Sequence, residues 1–354
     1  EAYMKRAISY AKQEKNKEAL AGFGFVLKLN PKSVEAYCAR GLIHALCSNL
    51  RESYRDFLKA LVLDIKSLKT FINSLSDHQR PVALGTLEDC AQILFSHYIS
   101  NGNKSPRMLS LCRLLVSSDP NVASYHSMYA DGLIIHEDYS TAIKELETAR
   151  KLCPDDMSVF GRSALVYVKL NKINLATAEF SRMAEADLEG LRFMLQALNS
   201  SQKVVLQQEA ITQAEHLSRI SQYEQALPFY HVAVAALEGK DQDSLRMRSR
   251  CFERLQRYGL AVDDMSAVIS LGKPLIGDIC ARANLHILDD NLRCACQDFL
   301  SAFQMNETVA LNFVSCRPGK EALVKIFTKA AIEAYDSKNY FEATKNCNCG
   351  LKLD

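Results

Sequence analysis

The stretch Tyr3 to Pro31, YMKRAISYAKQEKNKEALAGFGFVLKLNP, decides the fold. A small residue, Ala7, is followed twelve positions later by a second, Ala19. A large apolar residue, Phe23, comes four further on and a medium one, Val26, three after that, before Leu29-Asn30-Pro31 closes the segment. Intervals of four and three place Ala19, Phe23 and Val26 on one face of a helix. The small residue upstream lets a preceding helix approach closely, and the large one fills the space beside it. The stretch therefore predicts two antiparallel helices joined by a turn at Lys15-Asn16.

The same spacing returns down the chain. Gly41, Ser53, Phe57 and Ala60 repeat it, then Ala130, Ala142, Leu146 and Ala149, then Ala164, Ala176, Phe180 and Met183. Ala214, Ala226, Tyr230 and Ala233 follow, with Ser249, Ala261, Met265 and Val268 after them. Ala283, Ala295, Phe299 and Ala302 make the seventh set, and Ala331, Ala343, Cys347 and Gly350 the last. The units align on the second small residue, so the first is independent evidence, and it is small in every unit. Ser48-Asn49 and Asn171-Lys172 supply further turns. A lone helix pair of this kind cannot cover its apolar face and must stack on its neighbours.

In period, about 34 residues, and in pattern, the units resemble the tetratricopeptide repeat. Tyr3, Tyr37 and Phe160 stand where that family often has Trp, Tyr10 and Tyr167 where it favours Tyr, and Pro31, Pro120 and Pro154 close units as it expects. Ile65 and Leu188 depart from that proline. The resemblance implies an all-α, right-handed superhelical solenoid of antiparallel helix pairs. The expected organisation is two units in 1–65, irregular helices and a degenerate unit in 66–120, and two units in 121–188. An extra helical segment fills 189–205, and four units with an insertion near 306–322 fill 206–354, all as one continuous array. Within it, 66–86, 186–205 and 306–322 do not fit the pattern and read as extra helices or long loops, and about 87–120 keeps only helical periodicity.

A longer period overlies the short one. Twelve of 24 positions between Cys38 and Leu61 are identical to those 242 residues later, including Cys38-Ala39-Arg40 with Cys280-Ala281-Arg282, His44 with His286, and Asp56-Phe57-Leu58 with Asp298-Phe299-Leu300. Phe71 and Phe313 keep the same offset, and Arg80-Pro81 and Arg317-Pro318 read as matching turns. This identity goes beyond any packing code and marks a duplicated multi-repeat block, as in long animal proteins made almost wholly of such repeats.

Composition agrees with a soluble helical chain. Of 354 residues, 14 are Gly and 8 Pro, few for a chain of many short strands, and the net charge of +2 offers no bulk attraction to nucleic acid or anionic membrane. No apolar run reaches the roughly 18 residues of a membrane span, and no signal-peptide pattern opens the chain, which begins Glu1-Ala2-Tyr3 and reads as part of a longer protein. The 12 Cys lie mostly in helical patterns (Cys38, Cys47, Cys90, Cys112, Cys251, Cys280), as small apolar residues of a reduced, intracellular protein, cytoplasmic or nuclear. Sequons at Asn103, Asn199 and Asn306 arise easily by chance.

No enzymatic motif is present, and no cofactor is expected. Arg317-Pro318-Gly319-Lys320 is not a phosphate loop, no H-E-x-x-H or G-x-S-x-G occurs, and Cys294-x-Cys296 and Cys347-x-Cys349 lack zinc spacing. In the resembled family the first helices line a groove for protein or peptide segments. Here those positions are Met4, Ile8 and Ala11, then Cys38, Leu42 and Ala45, an apolar groove without the Lys and Asn of a chaperone-tail clamp. Near the C-terminal half, Arg246, Arg250 and Arg254 form one helix stripe with Arg219 extending it. The stripe is either a grip for acidic or phosphorylated segments or a solvated face neutralised by Glu253, Asp263 and Asp264. The expected function is a protein-binding scaffold; an RNA-binding repeat protein, which needs a basic groove, and a self-associating array are the alternatives.

Overall fold

The computed structural model describes residues 1–102, 104–316 and 320–353, and among these the chain forms twenty-one α-helices and no strand. Seven sequence units are packed helix pairs. They are α1 (Ala2–Lys12) with α2 (Asn16–Leu29), α3 (Val34–Leu46) with α4 (Leu50–Leu63), α8 (Ala123–Ile135) with α9 (Tyr139–Leu152), and α13 (Ser200–Arg219) with α14 (Tyr223–Ala236). α15 (Gln242–Arg254) pairs with α16 (Tyr258–Leu271), α17 (Ile276–Leu288) with α18 (Leu292–Met305), and α20 (Lys320–Asp336) with α21 (Tyr340–Leu353). The remaining unit supplies α10 (Met157–Lys169) and α11 (Ile173–Ala186). The chain divides into two compact units, Glu1–Leu170 and Asn171–Asp354, and the division falls between these two helices.

The segments outside the short pattern are helical too. α5 (Ile65–Asn73), α12 (Leu188–Leu195) and α19 (Glu307–Cys316) are short helices, and α6 (Gln79–Asn101) packs with α7 (Pro106–Ser118) where only periodicity survives. Arg80-Pro81 is not a turn: it lies in the first turn of α6, where a proline lacks no helical hydrogen bond. Arg317-Pro318, like Asn103, lies outside the described residues.

Element order now shows a threefold recurrence. Two helix pairs, a short helix and a pair with a lengthened first helix occur as α1–α7, α8–α14 and α15–α21. The short helices begin at Ile65, Leu188 and Glu307, 123 and 119 positions apart. Those steps together make up the 242-residue offset seen in the sequence. The middle block keeps the architecture without the side-chain identities, so sequence comparison exposes only the outer two.

The small and large positions that define the units are buried, except Cys347 in the last unit, which is exposed. Ala7, Ala19, Phe23, Phe57, Ala130, Ala142, Ala164, Ala176 and Phe180 have no exposed surface, and neither do Ala214, Ala226, Ala261, Ala283, Ala295 and Phe299. Gly41, Ala331 and Ala343 are buried as well. The need for small residues is steric. A Cβ added to Gly22 would stand 2.9 Å from the Cβ of Ala7 across the α1–α2 contact. Each of the seven packed sequence units turns through one non-glycine residue in the left-handed region: Glu14, Ser48, Glu137, Ser221, Gln256, Asp290 or Lys338, with φ from 56° to 67°. Asn171 does the same between α10 and α11. The residue always lies five positions before the second small one. In the first turn it is Glu14, and Asn16 already begins α2.

Candidate functional site

Three helix pairs carry an ion pair between residues sixteen apart. Arg40 donates to Asp56 at 2.7 and 2.6 Å, Arg248 to Asp264 at 2.8 and 2.6 Å, and Arg282 to Asp298 at 2.8 and 2.6 Å. Each arginine precedes the first small residue and each buried aspartate precedes the large one, so the fork joins the two helices beside their closest approach. Hydrogen bonding to Asp56 and to Asp298 raises Arg40 and Arg282 above the ordinary arginine range. A second kind of clamp joins first helices of successive pairs: Arg162 of α10 to Asp131 of α8 at 3.0 Å, and Arg246 of α15 to Asp278 of α17 at 2.9 and 2.8 Å. Sequence reasoning missed both kinds, although Arg40, Asp56, Arg282 and Asp298 are among the positions shared by the duplicated blocks.

Among the described residues, four histidines and six cysteines are taken up by packing, whereas Cys153 and Cys347 are exposed. His44 and His286 are half-buried one turn after Arg40 and Arg282, and burial pushes both below the usual imidazole value. His126 is held by Glu145 at 2.6 Å and by the Pro120 carbonyl at 2.9 Å. His231 is pushed down to about 4 by burial and by Arg248. Cys38, Cys90, Cys112, Cys251 and Cys280 are buried free thiols, and burial pushes Cys38, Cys90 and Cys112 up to about 12. No group of three or more His, Cys, Asp or Glu able to hold a metal occurs among the described residues. Two sequon asparagines cap helices: Asn199 closes a capping box with Gln202, and Asn306 accepts from the Val309 amide.

The apolar groove expected near the N-terminus is corrected in part. Ile8 is exposed and Met4 half-buried, but Cys38 and Leu42 lie in the core with 0% and 6% exposure. The reason is where the irregular helices of 66–120 come to lie. Leu68 and Ile72 of α5 and Leu84 and Leu87 of α6 join the cluster that encloses Cys38 and Leu42, so these two side chains are closed to a ligand.

The arginine stripe of the second unit divides into two parts. Arg246 is committed to Asp278 and, at 2.7 Å, to Asp243. Asp264, expected to neutralise the stripe, is instead buried under Arg248. Arg219 extends into solvent with Glu215 at 3.2 Å. Arg250 and Arg254 are exposed, and neither has an ion pair among the described residues.

Two hollows flank α15, and Arg250 borders both. One, of about 360 Å³, lies between α13 and α15 and is lined by Ser218, Arg219, Tyr223, Tyr230, Arg250 and Arg254, with Glu215 at its edge. The Tyr230 and Ser218 hydroxyls are 3.2 Å apart, and burial raises the Tyr230 phenol while that hydrogen bond opposes the rise. The other, of about 610 Å³, lies between α15 and α17 and is walled by Arg250, Gly277, Ala281, Ile287, Leu288 and Phe313 of α19. The first offers guanidinium and hydroxyl donors, the second a mixed lining in which apolar surface stands beside Glu253 and Asn284. Neither presents a nucleophile with an adjacent base. Tyr230 was legible only as packing, and Phe313 only as a position kept across the duplication.

The helix-pair architecture, the small–large packing code and the stacked pairs within each compact unit define a tetratricopeptide-type repeat protein. Along its whole length the chain is 24% identical to tetratricopeptide repeat protein 34 of Xenopus laevis and 25% identical to that of Homo sapiens. It spans 65% and 64% of those relatives' lengths. Among solved structures it is similar to the tetratricopeptide domain of P58(IPK), at 15% identity over 99% of this chain and 97% of that one, with a TM-score of 0.27. No family model matches.

Proposed function

We propose that this chain is a non-enzymatic protein-interaction scaffold, and that partner segments seat on the face of its second unit formed by α13, α15 and α17. The observation that carries this reading is the pair Arg250 and Arg254, exposed and without ion pairs beside two hollows. The duplication supports it. At the 242-residue offset, packing positions stay small or apolar (Ala7 and Ser249, Ala19 and Ala261, Phe23 and Met265), while Met4 and Ile8 become Arg246 and Arg250. Packing did not require arginine at those places, since the first block folds the same elements without it. No helix among the described residues is long and apolar enough to cross a membrane, and the buried free thiols accord with a reducing, intracellular setting.

The test is selection of disordered protein segments displayed on phage against the immobilised chain, and against Arg250→Glu with Arg254→Glu. Enrichment on the wild type that the double reversal removes supports the reading. Absence of any enriched segment overturns it. So does tight binding of mixed single-stranded RNA with a steep salt dependence, which counterion release would produce.

A further inference from the structure

We infer that this face reads a two-part signature: an anionic side chain held by Arg250 and Arg254, and a bulky apolar side chain about three residues away seated against Leu288 and Phe313. The inference rests on the scaffold reading and specifies the chemistry of its ligand.

The two sides of α15 differ in kind. The hollow toward α13 sets three guanidiniums against one carboxylate, Glu215, and adds the Tyr230 and Ser218 hydroxyls. Arginine forks bind carboxylate or phosphate oxygens in pairs. The hollow toward α17 is different, because Arg246 and Asp278 cancel one another within it. Ser249, Glu253 and Asn284 also line it, but Leu288 and Phe313 give it an apolar side, left 45% and 46% exposed. An apolar ligand group seated on that side would take both side chains out of water.

This arrangement belongs to the third block. A Cβ on Gly277 would come within 3.0 Å of the Phe313 ring tip, so glycine makes room for the ring at the wall. The first block has Glu35 at the place of Gly277, and its matching aromatic, Phe71, packs against the core cluster. Spacing follows from helix packing. Neighbouring helices stand about 8–10 Å apart, and a polyproline-II segment advances about 3.1 Å per residue and returns to the same face every third one. A segment lying across α15 therefore places side chains about three residues apart in the two hollows. Arg250, at the crest between them, borders both.

Fluorescence anisotropy of the full chain with synthetic dodecapeptides tests this. In a Gly-Ser background, one position carries Asp, phosphoserine or Ser, and the position three residues later carries Leu or Ala. Peptides with both an anion and Leu are expected to bind on the order of tenfold tighter than those lacking either. Arg250→Gln with Arg254→Gln should erase the preference for the anion alone, and Phe313→Ala the preference for Leu alone. The Asp and phosphoserine arms identify which anion is read. Equal binding of the Ser and anionic peptides, or an anion preference that survives the arginine variant, overturns the inference. The peptide comparisons on the wild-type chain decide it even where a variant loses helix content. If phage-selected segments bind this face but lack the anion–apolar pair, the scaffold reading stands and this one falls; if no segment binds, both fall.

Discussion

Asp56, Asp264 and Asp298 are buried between paired helices, and each is met by an arginine fork sixteen residues upstream. A carboxylate in that position is costly unless it is fully paired. The same logic explains two serines at small positions: Ser53 donates to the Gly41 carbonyl at 2.8 Å and Ser249 to the Ala261 carbonyl at 2.9 Å, so a hydroxyl replaces a methyl without an unsatisfied donor. Removing one partner of the clamp should therefore hurt far more than removing both. Arg40→Met is expected to destabilise the α3–α4 pair by about 3–5 kcal/mol, and adding Asp56→Leu to restore most of that. Urea denaturation of the single and double variants, followed by helical circular dichroism, checks it. A double variant as weak as the single one would show that the clamp acts through something other than its buried charge.

At the scale of the element, the turns and the short helices decide the architecture. Left-handed backbone costs a non-glycine residue about 1–2 kcal/mol, yet each of the packed sequence pairs places a Glu, Ser, Gln, Asp or Lys there. Gln256→Gly and Glu14→Gly should each raise stability by about 0.5–1 kcal/mol, the relieved strain being offset in part by the flexibility glycine adds to the unfolded chain. Lys15→Gly, one residue beyond the left-handed position of the first turn, should give no gain. Denaturation midpoints of the three variants decide whether the turn residue is defined by its φ or only by its exposure. The short helices α5, α12 and α19 matter for another reason. α5 helps to close Cys38 and Leu42 into the core, whereas α19 leaves Phe313 at the edge of a hollow.

At the scale of the whole molecule, stability within each compact unit is a chain of local contacts, because helix pairs pack on their neighbours in sequence and no single centre gathers them. The hydrophobic clusters follow that order, from Ala7, Ala19 and Phe23 at one end to Phe299, Leu323 and Phe327 near the other. Phe299→Ala, which empties a fully buried site, should cost about 3–5 kcal/mol. Its effect on amide hydrogen exchange should be confined to α17–α20, with α1–α4 unchanged. Faster exchange throughout the chain would mean that the array unfolds as one cooperative body.

How much of this was legible follows from the range of the forces. The small–large code and the turns repeat every pair, so the sequence alone determined an all-helical chain and most of the residues buried between the helices of its seven packed pairs. Those contacts join positions about twelve to sixteen apart, close enough for spacing to reveal them. The Arg–Asp clamps also stood at fixed spacing, but charged residues on helices are usually solvated, and nothing in the letters distinguished a buried fork from an exposed pair. Only the tertiary structure decided which of the expected groove residues stay exposed. α5 and α6 bury Cys38 and Leu42, Asp278 claims Arg246, and α19 brings Phe313 beside Gly277. Each of these depends on where an irregular helix or a neighbouring pair comes to lie, and exposure is a property of everything packed around a side chain rather than of its place in the pattern.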